Sequence, residues 1–473
     1  MGAYMAPFLW VINTVMIKLE DNKKFCAAPW THLHVTPGGE SLPCCYWNSD
    51  YLKDEDGMPT GSPDFGNIND YDTVNELMNH SAFKDLRNRF LNGETHPGCK
   101  NCDTHDAAGR QDQSGRNVFN NQFLTEKTKE SVANTLEDGT AEPNIIYLDI
   151  RFGNICNLKC RMCGHGYSSS WYEDDVKLDE LQQWKNETVQ SLPIEYSKIQ
   201  ETRHVKKFLH VDCFDKIKPY IQFAEEIYFA GGEPLLYPEH TKILDVLLET
   251  NNTDCRLRYN TNLTSLTYKK KDIVQDYWKK FTNVHIIPSI DGMGDTVEYI
   301  RTNMKWDIFV ENYNRILKEL PDTYLSPGVT IGIMNVEVFP EFNRYCIENG
   351  WTKEWLFPNF INYPHNQNIQ ILPEWYKEKI VTIYEEHMKW IKDTYVNENY
   401  DETLPDTGTS QLRGLKTIVD YLRGEIYNET KKAKLLDELW RDLYKWKIIS
   451  PDQNWTVKMP HLNNFFKQYK DKR

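Results

Sequence analysis

The chain has 473 residues, 40% hydrophobic and 26% charged, which is the composition of a folded protein long enough for two or three domains. A net charge of −14 excludes a general nucleic-acid binder, because phosphate contacts need clustered Lys and Arg. The apolar N-terminal run has neither the ~20 residues of a membrane span nor the basic start of a secretory signal, so a cytoplasmic protein without a membrane partner is expected.

In chain order, residues 1–17 read as an extension, with Met16 as an alternative start. Residues 18–105 are loop-rich and carry Cys26, Cys44, Cys45, Cys99 and Cys102, with one amphipathic helix predicted over "YDTVNELMNHSAFKDLRNRFLNG". Residues 106–144 are polar and predict a bridging helix and linker. From 145 the pattern alternates. Strands are predicted in "NIIYLDI", "EIYFA", "RLRYN", "VHIIPSI", "GVTIGIM" and near "EWLFPNFI". Helices are predicted in "HTKILDVLLET", "KKKDIVQDYWKKF", "DIFVENYNRILKEL" and "PEFNRYCIEN". The "KKK" at 269–271 reads as a solvated helix start. Strands interleaved with such helices imply βαβ units and a parallel sheet, with chemistry at the strands' C-terminal ends. The fold class is therefore α/β, an open partial (β/α)6 barrel of parallel strands over 145–365. The small cysteine-rich domain precedes it, and a helical region follows over 366–473, interrupted by "NENYDETLPDTGTS". Trp375 and Trp390 in that region are expected either to line a pocket at the barrel mouth or, the favoured reading, to pack between helices.

"ICNLKCRMC" at 155–163 sets Cys156, Cys160 and Cys163 in a C-x3-C-x2-C spacing just after the first of these strands. Structural zinc and ordinary iron–sulfur sites use four protein ligands, so three thiols leave a position open. On a 4Fe–4S cluster the open iron would accept an outside ligand. Downstream, "YFAGGEPLLYPEH", "YNTNLT" and "PSIDG" close three successive predicted strands. Gly231 and Gly232 lack a Cβ and would let a ligand approach the backbone.

These four segments, in this order, resemble the radical S-adenosylmethionine (radical SAM) superfamily. The resemblance implies a 4Fe–4S cluster on Cys156, Cys160 and Cys163 that binds S-adenosylmethionine and cleaves it reductively to a 5′-deoxyadenosyl radical. It implies cofactor contacts from Gly231, Gly232, Glu233, Asn262, Ser289 and Asp291, and from Met162 near the adenine. Arg301 is expected either at the substrate or cofactor, or in a surface ion pair.

Cys26, Cys44 and the C-x2-C pair Cys99 and Cys102 make a possible four-thiolate site, for which spacing alone allows zinc or a second 4Fe–4S cluster. Cys45 is an alternative to Cys44. The pattern of cysteine, G-x4-C, helix and C-x2-C is similar to SPASM/twitch auxiliary-cluster domains, here before the barrel instead of after it. That similarity implies one auxiliary 4Fe–4S cluster, with roles in electron relay or pocket support. His32, His34 and His165 read as structural, the Ser168–Ser170 run beside the triplet is expected to face the active site, and Cys213, Cys255 and Cys346 read as buried small hydrophobes.

The expected activity is hydrogen abstraction from a peptide or protein residue, of the maturase type, with a flavodoxin- or ferredoxin-type reductant. The same chemistry on a small metabolite is an alternative, and a non-catalytic iron–sulfur electron-transfer protein is a second.

Overall fold

A computed structural model describes residues 22–48, 65–109, 114–184, 210–352, 358–395 and 410–472. The N-terminal extension, the "NENYDETLPDTGT" interruption and most of "EWLFP" lie outside the described residues.

Seven strands form the main sheet: β1 (His32–Val35), β2 (Ser41–Leu42), β3 (Tyr147–Ile150), β4 (Glu226–Phe229), β5 (Arg256–Thr261), β6 (Val284–Pro288) and β7 (Tyr324–Leu325). Their spatial order is β7–β6–β5–β4–β3–β1–β2. The pairings β1–β3, β3–β4 and β6–β7 are parallel, and β1–β2 is antiparallel. By compactness the chain divides into two units. The first comprises Met1–Asn154, Leu209–Arg258 and Lys280–Val284, and the second Ile155–Phe208, Tyr259–Lys279 and His285–Arg473.

In the first unit, alternation sorts the sheet into two faces. Leu33, Val35, Leu148, Ile150, Ile227, Phe229 and Leu257 are all buried and form the apolar side. Register pairs His32 with Tyr147 and Tyr147 with Glu226, so the opposite side carries His32, His34, Tyr147, Asp149, Glu226 and Tyr228. The helices Phe214–Ile221 and Pro238–Glu249 bury Ile217, Ile221, Ile243, Leu244 and Leu247 in this unit's core.

β1 departs from the expected organisation. The cysteine-rich region was expected to stand apart from the sheet, yet His32–Val35 pairs in parallel with β3. The cause is legible in retrospect: Leu33 and Val35 alternate with His32 and His34, and such a strand needs a sheet to bury its apolar face.

Two helical expectations also change. The 71–93 helix breaks into Val74–Met78 and Ser81–Leu91, because His80 caps the second, its ring accepting from the Ala82 N–H at 3.3 Å, while Thr73 and Glu76 form a capping box on the first. The lysines of "KKKDIVQDYWKKF" are exposed as expected, but they start no α-helix. Lys269 takes φ 53°, Lys271–Asp272 pairs with Thr267–Tyr268, and a π turn over Ile273–Tyr277 follows. The wider turn buries Ile273, Val274 and Tyr277 together.

The second unit contains the antiparallel pair Lys159–Cys160 with Arg301–Thr302 and the parallel pair Thr330–Ile331 with Asn359–Phe360. Its helices include Trp306–Glu319, Phe339–Glu348, Glu374–Tyr395, Ser410–Leu422, Glu429–Ile449 and Pro460–Asp471. Trp351 stacks on Tyr313 at 4.1 Å in an aromatic core with Trp306 and Phe309. Trp375 packs on Phe465, and Trp390 stacks on His387 under the Arg344 guanidinium, as interhelical packing predicts.

Candidate functional site

The cysteine loop of the second unit is held by its own polar groups. Cys160 ends a two-residue strand, and the Cys163 N–H donates to the Cys160 carbonyl at 2.9 Å. Ser168 Oγ donates to the Leu158 carbonyl at 2.6 Å and Ser170 Oγ to the Cys156 carbonyl at 2.7 Å. The serine run thus braces the loop from within, while His165 pairs with Asp175.

All three thiols are half-buried. Burial pushes the Cys163 thiol up to about 12, with the negative charges of Cys160 and Cys156 adding to the rise. Burial also raises Cys160, against the pull of the Arg301 guanidinium. Three mutually repelling thiols in a poorly hydrated loop fit a cationic iron cluster, which would hold them as thiolates.

Arg301, 8% exposed, is no surface residue. Its Nη1 lies 3.7 Å from Cys160 Sγ and its Nε 2.7 Å from Asp291 Oδ2. Asp291 is fully buried and its Oδ1 accepts the Thr330 N–H at 2.9 Å. The carboxylate expected at the cofactor is therefore spent on Arg301 and the backbone. Asn262 Nδ2 donates to Asn157 Oδ1 at 2.8 Å and lies 3.9 Å from Cys156 Sγ. Ser289 is half-buried, its N–H donating to the Thr261 carbonyl at 2.8 Å, and Met162 is half-buried in the loop. Sequence reading missed one partner of this loop: Gln367 Nε2 donates to the Arg161 carbonyl at 2.8 Å, and nothing in its local sequence marks it.

In the first unit, Gly231 and Gly232 take φ of 79° and 52°, the left-handed region that a side chain disfavours. A Cβ on Gly231 would stand 2.6 Å from Arg151 Cγ. Glu233 is buried, and its Oε1 accepts the Leu235 N–H at 3.2 Å, capping the turn Pro234–Leu236.

The same unit gathers the auxiliary cysteines. Cys26, Cys44, Cys99 and Cys102 line a cavity of about 370 Å3, counted with the solvent at its mouth, walled by Pro43, Tyr46, Trp47 and Phe119. Burial holds the Cys99 thiol up at about 11 and raises Cys44 well above its usual value, with the other cysteines' charges adding to Cys44. Arg116, buried beside them, is held by Asp103 at 2.9 Å and by Asp106. Four thiols around one apolar cavity fit a fully liganded cluster. Cys44 lines it and Cys45 does not. Cys45 is instead exposed, and the charges that act on its thiol are those of Asp149, Arg258 and Arg151 on the polar sheet face.

That polar sheet face is itself a network. His34 Nδ1 lies 2.7 Å from Asp149 Oδ2, and Arg151 Nη1 lies 3.0 Å from His34 Nε2. His32 stacks on Tyr147 at 4.2 Å, and burial pushes its imidazole down to about 3. His32, His34 and Asp149 stand close enough to suggest a metal group, but both nitrogens of His34 are engaged, as the structural reading expects. Arg258 lies over Tyr228 at 4.3 Å and 3.0 Å from Glu226.

Comparison with known proteins identifies two domains. The radical SAM superfamily model matches residues 150–341, and a SPASM iron–sulfur cluster-binding domain model matches residues 26–103. The chain carries a radical SAM domain over residues 150–341. The two matches together span more than half of the chain, with the SPASM segment first. A radical SAM domain carries a 4Fe–4S cluster and S-adenosylmethionine, and a SPASM domain carries auxiliary iron–sulfur. Iron–sulfur therefore replaces the zinc alternative at the four-thiol site. Three solved chains match. One, titled "Native anSMEcpe with bound AdoMet", is 14% identical, with a TM-score of 0.31 over 52% of this chain and 59% of that chain. The radical SAM chain thus spans under two thirds of that solved chain, and no curated protein matches. Among the described residues, no helix is long and apolar enough to cross a membrane.

Proposed function

We propose that this radical SAM enzyme abstracts hydrogen from a peptide or protein residue and completes an oxidation or cross-link, as a maturase. The observation that carries this reading is the pairing of a three-thiol loop with a separate four-thiol cavity in one chain. The chemistry supplied by the bound cofactors is reductive cleavage of S-adenosylmethionine to a 5′-deoxyadenosyl radical, with an auxiliary cluster able to take an electron. Cys156, Cys160 and Cys163 hold the first cluster, and Arg301 donates to Cys160 Sγ. Cys26, Cys44, Cys99 and Cys102 hold the second. Gly231, Gly232, Glu233, Asn262, Ser289 and Met162 contact the cofactor, and Asp291 acts through Arg301. The polar sheet face orients the substrate, since its His, Tyr, Arg and carboxylate groups suit a peptide's donors and acceptors. A flavodoxin- or ferredoxin-type protein supplies the electron.

A small anionic metabolite is the second reading, favoured by Arg151, Arg256 and Arg258 on that face. The test is anaerobic reconstitution, reduction, addition of S-adenosylmethionine and quantification of 5′-deoxyadenosine. The Cys156→Ala, Cys160→Ala, Cys163→Ala triple variant is the control. Product from wild type alone supports the reading. A fully loaded wild type that yields none, with and without peptide pools, overturns it.

A further inference from the structure

The C-terminal helical region lies outside both family matches, the later of which ends at residue 341. One residue of the cluster loop is nevertheless gripped by it. Arg161 follows the ligand Cys160, and both of its backbone groups are fixed from outside the loop. Its N–H donates to the Ile300 carbonyl at 2.8 Å, and its carbonyl accepts from Gln367 Nε2 at 2.8 Å. Its side chain is 3% exposed. The guanidinium lies 4.7 Å from the Tyr299 ring centroid, 4.7 Å from that of Trp446 and 5.8 Å from that of Trp171.

That cage is unusual in what it omits. Among the described residues, no carboxylate lies within ion-pair distance of Arg161, and its Nε and Nη2 have no hydrogen-bond partner. The nearby acid Asp174 is taken by Lys159 at 2.6 Å. A buried cation without an ion-pair partner among the described residues is expensive, and ring faces offset only part of the cost. Among the described residues, the negative charges acting on it are those of Asp174, Asp452 and Cys160, and of these only Cys160 belongs to the cluster loop. A three-thiolate 4Fe–4S cluster is anionic and gains further negative charge on reduction.

We propose that Arg161 is a positioning residue whose caged guanidinium is a fixed counter-charge of the S-adenosylmethionine cluster, alongside Arg301 on Cys160. Trp446 and Gln367 of the C-terminal region are the parts of the cage that hold it there. The region thereby tunes the cluster's reduction as well as packing against its unit. A fixed cation stabilises the reduced form and raises the midpoint potential, as nearby charge does in iron–sulfur sites generally. This inference rests on the radical SAM reading of the three-cysteine loop.

The test uses the full-length, anaerobically reconstituted protein in redox titrations followed by electron paramagnetic resonance. Wild type is compared with Arg161→Met, Arg161→Lys, Trp446→Leu and, as a control in the same helical region, Trp390→Leu. Arg161→Met is expected to shift the midpoint potential to more negative values, and Trp446→Leu to shift it the same way by less, because the freed guanidinium becomes hydrated. Arg161→Lys restores most of the potential by keeping the charge, and Trp390→Leu leaves it at the wild-type value. Should Arg161→Met fail to hold iron, Trp446→Leu carries the decision. An unchanged potential in an iron-loaded Arg161→Met, or in Trp446→Leu if the former is empty, overturns the proposal. A shift of equal size in Trp390→Leu overturns it too, since it would mark general loosening. Failure of the reading beneath it looks different: wild type itself would hold no cluster whose spectrum responds to S-adenosylmethionine.

Discussion

Asp291 and Arg301 show how one residue's chemistry reaches a cluster it does not touch. Removing one member of a buried ion pair strands the other charge, so Asp291→Asn is expected to cost about 3–5 kcal/mol in denaturant unfolding. A loss under 1 kcal/mol would contradict the buried pair. His32 makes a pH prediction. Its imidazole is held at about 3 in the folded protein against an ordinary 6.5, so the unfolded chain binds a proton that the folded chain refuses. Stability therefore falls as pH drops from about 6.5 toward 3, by up to about 1.4 kcal/mol per pH unit for this one group. His240, also held at about 3, contributes in the same direction. His32→Phe keeps a ring against Tyr147 and is expected to flatten the urea-midpoint slope between pH 7.5 and 5.5. An unflattened slope would mean that His32 is charged or exposed.

At the scale of elements, the turn after β4 and the CysCys dipeptide after β2 each make one prediction. Gly231→Ala places a methyl at positive φ against the Arg151 stem, so a loss of about 1–3 kcal/mol in stability and weaker S-adenosylmethionine binding by calorimetry are expected. Binding and stability equal to wild type would refute the tight approach. Cys44→Ser is expected to lose the auxiliary cluster's iron while Cys45→Ser retains it, read as iron per chain after anaerobic loading. The reverse result would exchange their roles. Short spacing groups Cys156, Cys160 and Cys163 and pairs Cys99 with Cys102, but Cys26 and Cys44 lie far from that pair in the chain and join it through the resemblance to SPASM/twitch domains. Sequence could not choose between Cys44 and Cys45, since adjacent positions differ only in which way the chain turns. Nor could it foresee Gln367 or Trp446, whose approach to the loop depends on tertiary packing that no local pattern encodes.

For the molecule as a whole, every predicted strand in 145–365 recurs as at least a two-residue strand, because β-branched and aromatic runs bounded by turn residues declare themselves. What sequence did not declare is where β1 goes, since a four-residue strand does not name its partner. Its placement has a consequence for the order of events during synthesis. His34 and Asp149 stand 115 residues apart. The ribosome therefore releases β1, Cys26 and Cys44 long before the strand they lie beside exists. Until residue 150 emerges, that first segment has a bare hydrogen-bonding edge and unshielded thiols, the state most open to mispairing and oxidation. Iron loading and sheet closure are thus coupled in time, and aerobic, iron-poor expression is expected to yield aggregates in place of a soluble apoprotein.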